Sequence, residues 1–187
     1  MFVLASASPR RKRLLEEYGF KFTVRPSLAE EKNDFSLPPQ DLVVRLARAK
    51  ANDVYKIEKM PTLGADTIVV FEGKILGKPA DRSENESFLR KLSGKTHQVY
   101  TGFCLITEDK TYSGYDVSNV RFRSLSDDEI AAYVKSGKGL DKAGGYGIQD
   151  GEGLVDSIDG SYTCVVGLPM EVVGALINEV LVNKRTR

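Results

Sequence analysis

Apolar and polar positions along the chain follow two periods, and the switches between them outline a fold. Residues 2–5 form a continuous apolar run, and 2–6 read as a buried strand. Residues 9–18 place Leu14, Leu15 and Tyr18 on one helical stripe, with Pro9 at the first helical position, Ser8 as N-cap and Gly19 ending the helix. Residues 21–25 alternate like a strand, and 26–39 are polar and irregular, a loop carrying Glu30, Glu31 and Asp34. Residues 40–57 repeat at helical spacing through Leu42, Val43, Leu46, Ala47 and Ala49. The β-branched run 62–71 turns at Glu72-Gly73 into a short return over 74–76. Ser83 and Ser126 each precede an acidic residue by three positions, capping-box spacing for helices reaching about Leu92 and Val134. Between them, residues 98–107 and 111–122 alternate in period two and predict a long antiparallel hairpin. Residues 137–153 hold seven of the seventeen glycines, and 169–182 read as an amphipathic helix. Helices interleaved with strands, one pair of them antiparallel, predict an α/β fold on a mixed sheet. Without a linker, residues 1–187 are expected to form one domain.

Composition narrows the function classes. The 27 basic and 26 acidic residues nearly cancel, which argues against a nucleic-acid polymer as partner and leaves room only for a local anion site. No apolar run approaches membrane-spanning length, and the opening run is too short for a secretory signal, so a cytoplasmic protein is expected. Cys104 and Cys164 lack metal-type spacing and read as buried thiols. His97 is the only histidine, which weakens any His-dependent site and points any metal toward oxygen ligands.

The chemistry concentrates in a few segments. Ser6-Ala-Ser8-Pro9-Arg10-Arg11 ends a strand and opens a basic helix, where free N–H groups, the helix dipole and the two arginines can converge on one anion. Read alone, it is more readily a capped, solvent-facing basic helix, since such helices are common. Asp66 interrupts a strand otherwise fit for the core, so it must be paired, metal-bound or at an open strand end. In a regular strand Thr67 points to the opposite face; both reach one ligand only if the chain bends or the strand ends there. Lys78 sits on a rigid Gly77-Lys78-Pro79 turn, and Lys50 on a helix with Arg45 and Arg48. Gly144-Gly145-Tyr146-Gly147-Ile148-Gln149 lacks the Gly-Lys-Ser/Thr ending of a phosphate loop, yet it can bring backbone near a flat ligand while Gln149 offers an acceptor and two donors.

Taken in order, Ser6-Ala-Ser8-Pro9-Arg10-Arg11, Arg45-Leu-Ala-Arg-Ala-Lys50-Ala, Gly64-Ala-Asp66-Thr67, Gly77-Lys78-Pro79, Ala143-Gly-Gly-Tyr-Gly-Ile-Gln149 and the segment from Gly160 to Pro169 strongly resemble the Maf family of nucleotide pyrophosphatases. The resemblance implies a two-lobed α/β fold related to the inosine triphosphate pyrophosphatases, with a nucleotide cleft and commonly a homodimer. It implies hydrolysis between the α- and β-phosphates, with Mg²⁺ or Mn²⁺ expected. Matched by position, Asp66 is the proton-accepting carboxylate. Arg10, Thr67 and Gln149 set base preference and look like the branch acting on dTTP and UTP. Ser8, Arg11, Lys50 and Lys78 handle phosphate. The loop carboxylate falls on Glu30, with Glu31 one residue away, and Asp66 and Glu30 are the expected metal ligands. The resemblance also carries an association with septum formation, so a nucleotide-binding regulator of cell division with little catalysis is the rival reading.

Overall fold

A computed structural model describes residues 1–29, 36–150 and 153–182. The chain opens with β1 (Phe2–Leu4), α1 (Pro9–Glu17) and β2 (Phe22–Val24), followed by the long helix α2 (Pro39–Glu58). β3 (Thr62–Phe71) and β4 (Lys74–Leu76) come next, then α3 (Arg82–Leu92), β5 (Thr96–Ile106), β6 (Thr111–Phe122) and α4 (Asp127–Ser136). A glycine-rich stretch with two short 3₁₀ turns leads to β7 (Val155–Asp159), α5 (Tyr162–Val166) and α6 (Met170–Ile177).

The strands form one seven-stranded mixed sheet in the order β2-β1-β3-β5-β6-β7, with β4 pairing β3 beyond the end of β1. β1 is parallel to β2 and β3, and the other pairs are antiparallel. This is the α/β mixed sheet that the alternation of periods predicts. Strand alternation divides the core between two faces. Ile68 and Val70 of β3 pack with Leu42, Val43 and Leu46 of α2 on one face. On the other, Leu63, Ala65, Phe103 and Leu105 pack with Leu14, Leu15, Val173 and Ile177, while Val69, Phe71 and Val99 meet Phe88, Leu89 and Tyr133.

α2 lies unusually close to the sheet because two strand positions beneath it are glycine. A Cβ on Gly64 would stand 2.3 Å from the Ala47 carbonyl oxygen, and one on Gly102 2.4 Å from the Val43 carbonyl. Gly102 is the cross-strand partner of Asp66, so helix and carboxylate are brought together at one point of the sheet.

Several boundaries differ from expectation. β1 stops at Leu4, and Ala5 and Ser6 leave the sheet toward α1. Tyr18 lies just past α1 and is half exposed rather than part of its apolar stripe; Gly19, at φ 76°, supplies the expected left-handed stop. α3 is capped not by Ser83 but by Asp81, whose carboxylate accepts from Glu84 N, because the helix begins one residue before Ser83. The capping box at Ser126 and Glu129 forms as expected. The C-terminal helix keeps α geometry only to Ile177 and continues as a π-helical turn over Asn178–Val182. No helix among the described residues is long and apolar enough to cross a membrane.

Candidate functional site

β1 accompanies β3 only as far as Leu63, where Ala5 N donates to Leu63 O, and β4 takes up the pairing at Val69. Residues 64–68 of β3 are therefore left with a bare edge in the middle of the sheet. A cleft of about 590 Å³ opens along this edge, within the usual range for small-molecule sites. Asp66 and Thr67 point to opposite faces, and both line the cleft because it wraps the edge. β3 itself neither bends nor ends there, as the alternation argument required; its neighbour ends instead.

Asp66 is 7% exposed. Its Oδ1 accepts a 2.6 Å hydrogen bond from Lys50 Nζ, across the close contact between α2 and β3. This ion pair satisfies the condition that a carboxylate in a core strand be partnered.

The α1 wall supplies the anion-binding geometry. Ser8 caps the helix, accepting from Arg11 N at 3.4 Å, and Ser6 Oγ accepts from Ser8 N at 3.2 Å. Arg11 is 8% exposed and folds inward: Nε donates to Gly167 O at 2.8 Å, Nη1 to Ser6 Oγ at 3.1 Å and Nη2 to Thr67 Oγ1 at 3.0 Å. Arg11 thus braces the floor of the cleft, tying α1 to β3 and to the turn after α5. Arg10 stays at the mouth and reaches across it to Asp141 Oδ2 at 3.1 Å. Burial raises the Asp141 carboxyl, but hydrogen bonds from Lys142 and Arg10 outweigh it and hold the group below the usual carboxylate range.

The facing wall is the glycine-rich stretch. Gly144 N donates to Gly77 O, which links this wall to the turn carrying Lys78, and Asn85 Nδ2 holds Gly145 O at 2.7 Å. Gly144 has φ 70°, and a Cβ there would lie 2.8 Å from Val69, so this close approach admits only glycine without strain. The Tyr133 hydroxyl accepts from Gly147 N, and Tyr146 meets His97 Nε2 at 2.6 Å in a buried aromatic cluster with Phe122. Burial pushes His97 down to about 4, so it stays neutral, and it raises the Tyr146 phenol. Gln149 and the exposed Lys78 line the cleft from this side.

Ser8, Arg10, Arg11, Lys50, Asp66, Thr67, Lys78 and Gln149 are therefore brought to one cavity, whereas Glu30 and its neighbour Glu31 lie outside the described residues. Among the described residues, five cationic side chains, Arg10, Arg11, Lys50, Lys78 and Lys142, line it against two carboxylates, Asp66 and Asp141. A near-neutral protein has thus concentrated positive charge in one cleft, which suits a polyanion. Sequence reasoning missed Asp141, Lys142 and the His97–Tyr146 pair. Only His97, a lone imidazole in an alternating strand, carried a signal. Among the described residues no three His, Cys, Asp or Glu side chains cluster around one point. Asp66 and the Ser8 hydroxyl offer oxygen donors only, a set that fits Mg²⁺ or Mn²⁺ held jointly with phosphate oxygens.

An α/β sheet broken at one strand edge, with a carboxylate and a ring of cations at the break, defines a protein built to hold a phosphorylated small molecule. Residues 1–180 match the family model for Maf-like proteins, and the chain belongs to that family. The dTTP/UTP pyrophosphatase of Thermococcus gammatolerans is 47% identical over 177 residues, covering 94% of this chain and 95% of that protein. The protein of the same name from Bacillus pumilus is 46% identical over 171 residues, covering 90% of each. Among solved structures, the Ham1 protein of Staphylococcus aureus matches at a TM-score of 0.47 and 14% identity, over 65% of this chain and 71% of that one.

Proposed function

We propose that this protein hydrolyses nucleoside triphosphates, dTTP and UTP foremost, between the α- and β-phosphates to give the monophosphate and pyrophosphate. The observation that carries the reading is Asp66: a buried carboxylate at a bare strand edge, hydrogen-bonded to Lys50 and facing a cleft ringed by cations. The names of the relatives from Thermococcus and Bacillus support the substrate class.

The triphosphate enters with about four negative charges, which Arg10, Lys50, Lys78 and the α1 N-terminus hold, while Arg11 braces Ser6 and Thr67 beneath it. Cations gathered at the β- and γ-phosphates make pyrophosphate the leaving group and leave the α-phosphorus for attack. Asp66 orients the attacking water and accepts its proton, and Lys50 holds that carboxylate in place. Asp66, together with Glu30, would hold Mg²⁺ or Mn²⁺, which when bound acidifies the attacking water and offsets phosphate charge. Gln149 presents its amide to the O4/N3–H edge of uracil or thymine. A homodimeric, cytoplasmic enzyme, one domain across its length, completes the reading. A regulator of septum formation that only bound nucleotide would have no use for a carboxylate aimed at the polyphosphate.

Asp66→Asn tests this directly. The variant should fold, bind nucleotide and release less than about 1% of the wild-type pyrophosphate from UTP in Mg²⁺, the loss typical of a removed general base. Retention of more than a few per cent would take Asp66 out of the base role, and release of orthophosphate rather than pyrophosphate would make the protein a terminal phosphatase.

A further inference from the structure

Gln149 enters the cleft from a single 3₁₀ turn, Ile148–Asp150, and among the described residues no hydrogen bond holds its amide. What aims this side chain is therefore the backbone of residues 147–150. Asp150 N donates to Gly147 O at 3.1 Å and closes the turn. Ile148 packs against the core that contains Leu14, Ala65 and Val173. Such apolar contact is non-directional, so it sets the depth of the turn and not its rotation.

Both ends of the turn meet one atom. The Tyr133 hydroxyl accepts from Gly147 N at 3.0 Å and donates to Asp150 Oδ2. Tyr133 stands on α4 and is 0% exposed, in the core with Phe88, Leu89 and Phe122, so its oxygen is a fixed point relative to the sheet. Among the described residues the other partner of the Asp150 carboxylate is Lys142 Nζ at 3.8 Å, too long for a hydrogen bond. Packing around the turn is close as well: a Cβ on Gly147 would stand 2.6 Å from Lys142 Cε and 2.7 Å from Asp150 Oδ2. The turn has one seat, and the phenol defines it.

We propose that Tyr133 is a positioning residue for substrate binding: by holding Gly147 and Asp150 at once, from behind the cleft wall, it fixes the turn that presents Gln149 to the nucleotide. Tyr133 does not itself line the cleft. The proposal rests on the reading above in taking the ligand to be a nucleotide, and it requires only that Gln149 touch that ligand, whichever part is touched. Asp66 and Lys50 belong to β3 and α2, so the attack on phosphorus does not pass through Tyr133.

The test is a double-mutant cycle of Tyr133→Phe and Gln149→Ala, read as kcat and KM for UTP by pyrophosphate release, with Tm measured alongside. Phenylalanine keeps the ring in the core and removes only the hydroxyl. In Tyr133→Phe, KM should rise about tenfold with kcat within about twofold of wild type, the sign of binding lost equally from ground and transition states. Gln149→Ala should raise KM at least as much. Adding Tyr133→Phe to it should change KM by less than about twofold, since the turn then has no amide to aim. A merely structural role would cost the same factor with or without Gln149. Additive losses of that kind overturn the proposal, as does an unchanged KM in either single variant. Should Tyr133→Phe not fold, Asp150→Ala, which removes the acceptor of the hydroxyl and leaves the ring in place, decides by the same cycle. A wild-type protein releasing no pyrophosphate from UTP would refute the enzymatic reading, and the proposal with it, before any variant is compared.

Discussion

Gly64→Ala should damage stability and catalysis together, because the missing side chain at this position sets the distance between α2 and β3. The added methyl would meet the Ala47 carbonyl oxygen at 2.3 Å, Ala51 N at 2.7 Å and Ala51 Cβ at 3.0 Å. Two of these atoms are helix backbone, so no rotamer change relieves the clash, and α2 must lift by about 1 Å to reach ordinary contact. Overpacking of this kind costs about 1–3 kcal/mol, and an obstacle made of backbone belongs at the upper end. For a chain of this size about 3 kcal/mol lowers Tm by about 6–12 °C. The functional cost follows from what α2 carries: Lys50 lies three residues beyond Ala47, and its 2.6 Å bond to Asp66 is lengthened by the same displacement. A misplacement of about 1 Å in a catalytic group is worth about 100-fold in rate. Calorimetry and UTP turnover, the latter measured well below the variant's Tm, read the two effects separately. Gly77→Ala is the matched control for stability, since a Cβ there meets nothing within 4 Å, and its Tm should stay at the wild-type value. A Gly64→Ala protein with wild-type Tm and turnover would refute the claim that this glycine positions the Lys50–Asp66 pair.

Two further predictions concern groups that burial has shifted. His97 titrates at about 4 when folded against about 6.5 when unfolded, so between these values the unfolded chain binds the extra proton. Stability is therefore fully present above about pH 6.5 and falls as pH drops toward 4, by about 3 kcal/mol. His97→Gln, neutral throughout, should show a flatter dependence of Tm on pH over that window, and an unchanged slope would mean that other groups govern acid unfolding. Burial also pushes the Cys104 and Cys164 thiols up to about 11. The native protein at pH 8 should resist iodoacetamide while the denatured chain takes up two equivalents; rapid native labelling would show that one thiol is accessible.

The parts of this molecule legible in the sequence are those fixed by local chemistry. The hairpin of β5 and β6, the Ser126 cap, the left-handed stop at Gly19 and the mixed sheet follow from periods and turn residues within a few positions of one another. The capping signal at Ser83 misled because Asp81, two residues earlier, competes for the same role and caps the helix from Arg82. The site residues were legible as types. Asp66 stood out as a charge in a core strand, and Arg10 and Arg11 as cations at a capped helix start. How they meet was not, because it depends on where β1 and β4 stop pairing with β3, and those are contacts between distant segments.

Thr67 shows why that gap matters. From alternation alone, Asp66 and Thr67 belong to opposite faces, and a ligand touching both is a contradiction. The contradiction disappears once the bare edge at 64–68 is known, since an edge exposes both faces at once. The same edge explains the division of labour across the sheet. The α2 face offers Asp66 and Lys50, a carboxylate with its cation, and the opposite face offers Thr67, whose hydroxyl is bound by Arg11 and Thr101. A ligand wrapped around the strand edge would meet ionic chemistry on one side and directional hydrogen bonding on the other. Burial of both sets against glycines and helices is what keeps either from relaxing to accommodate the wrong partner.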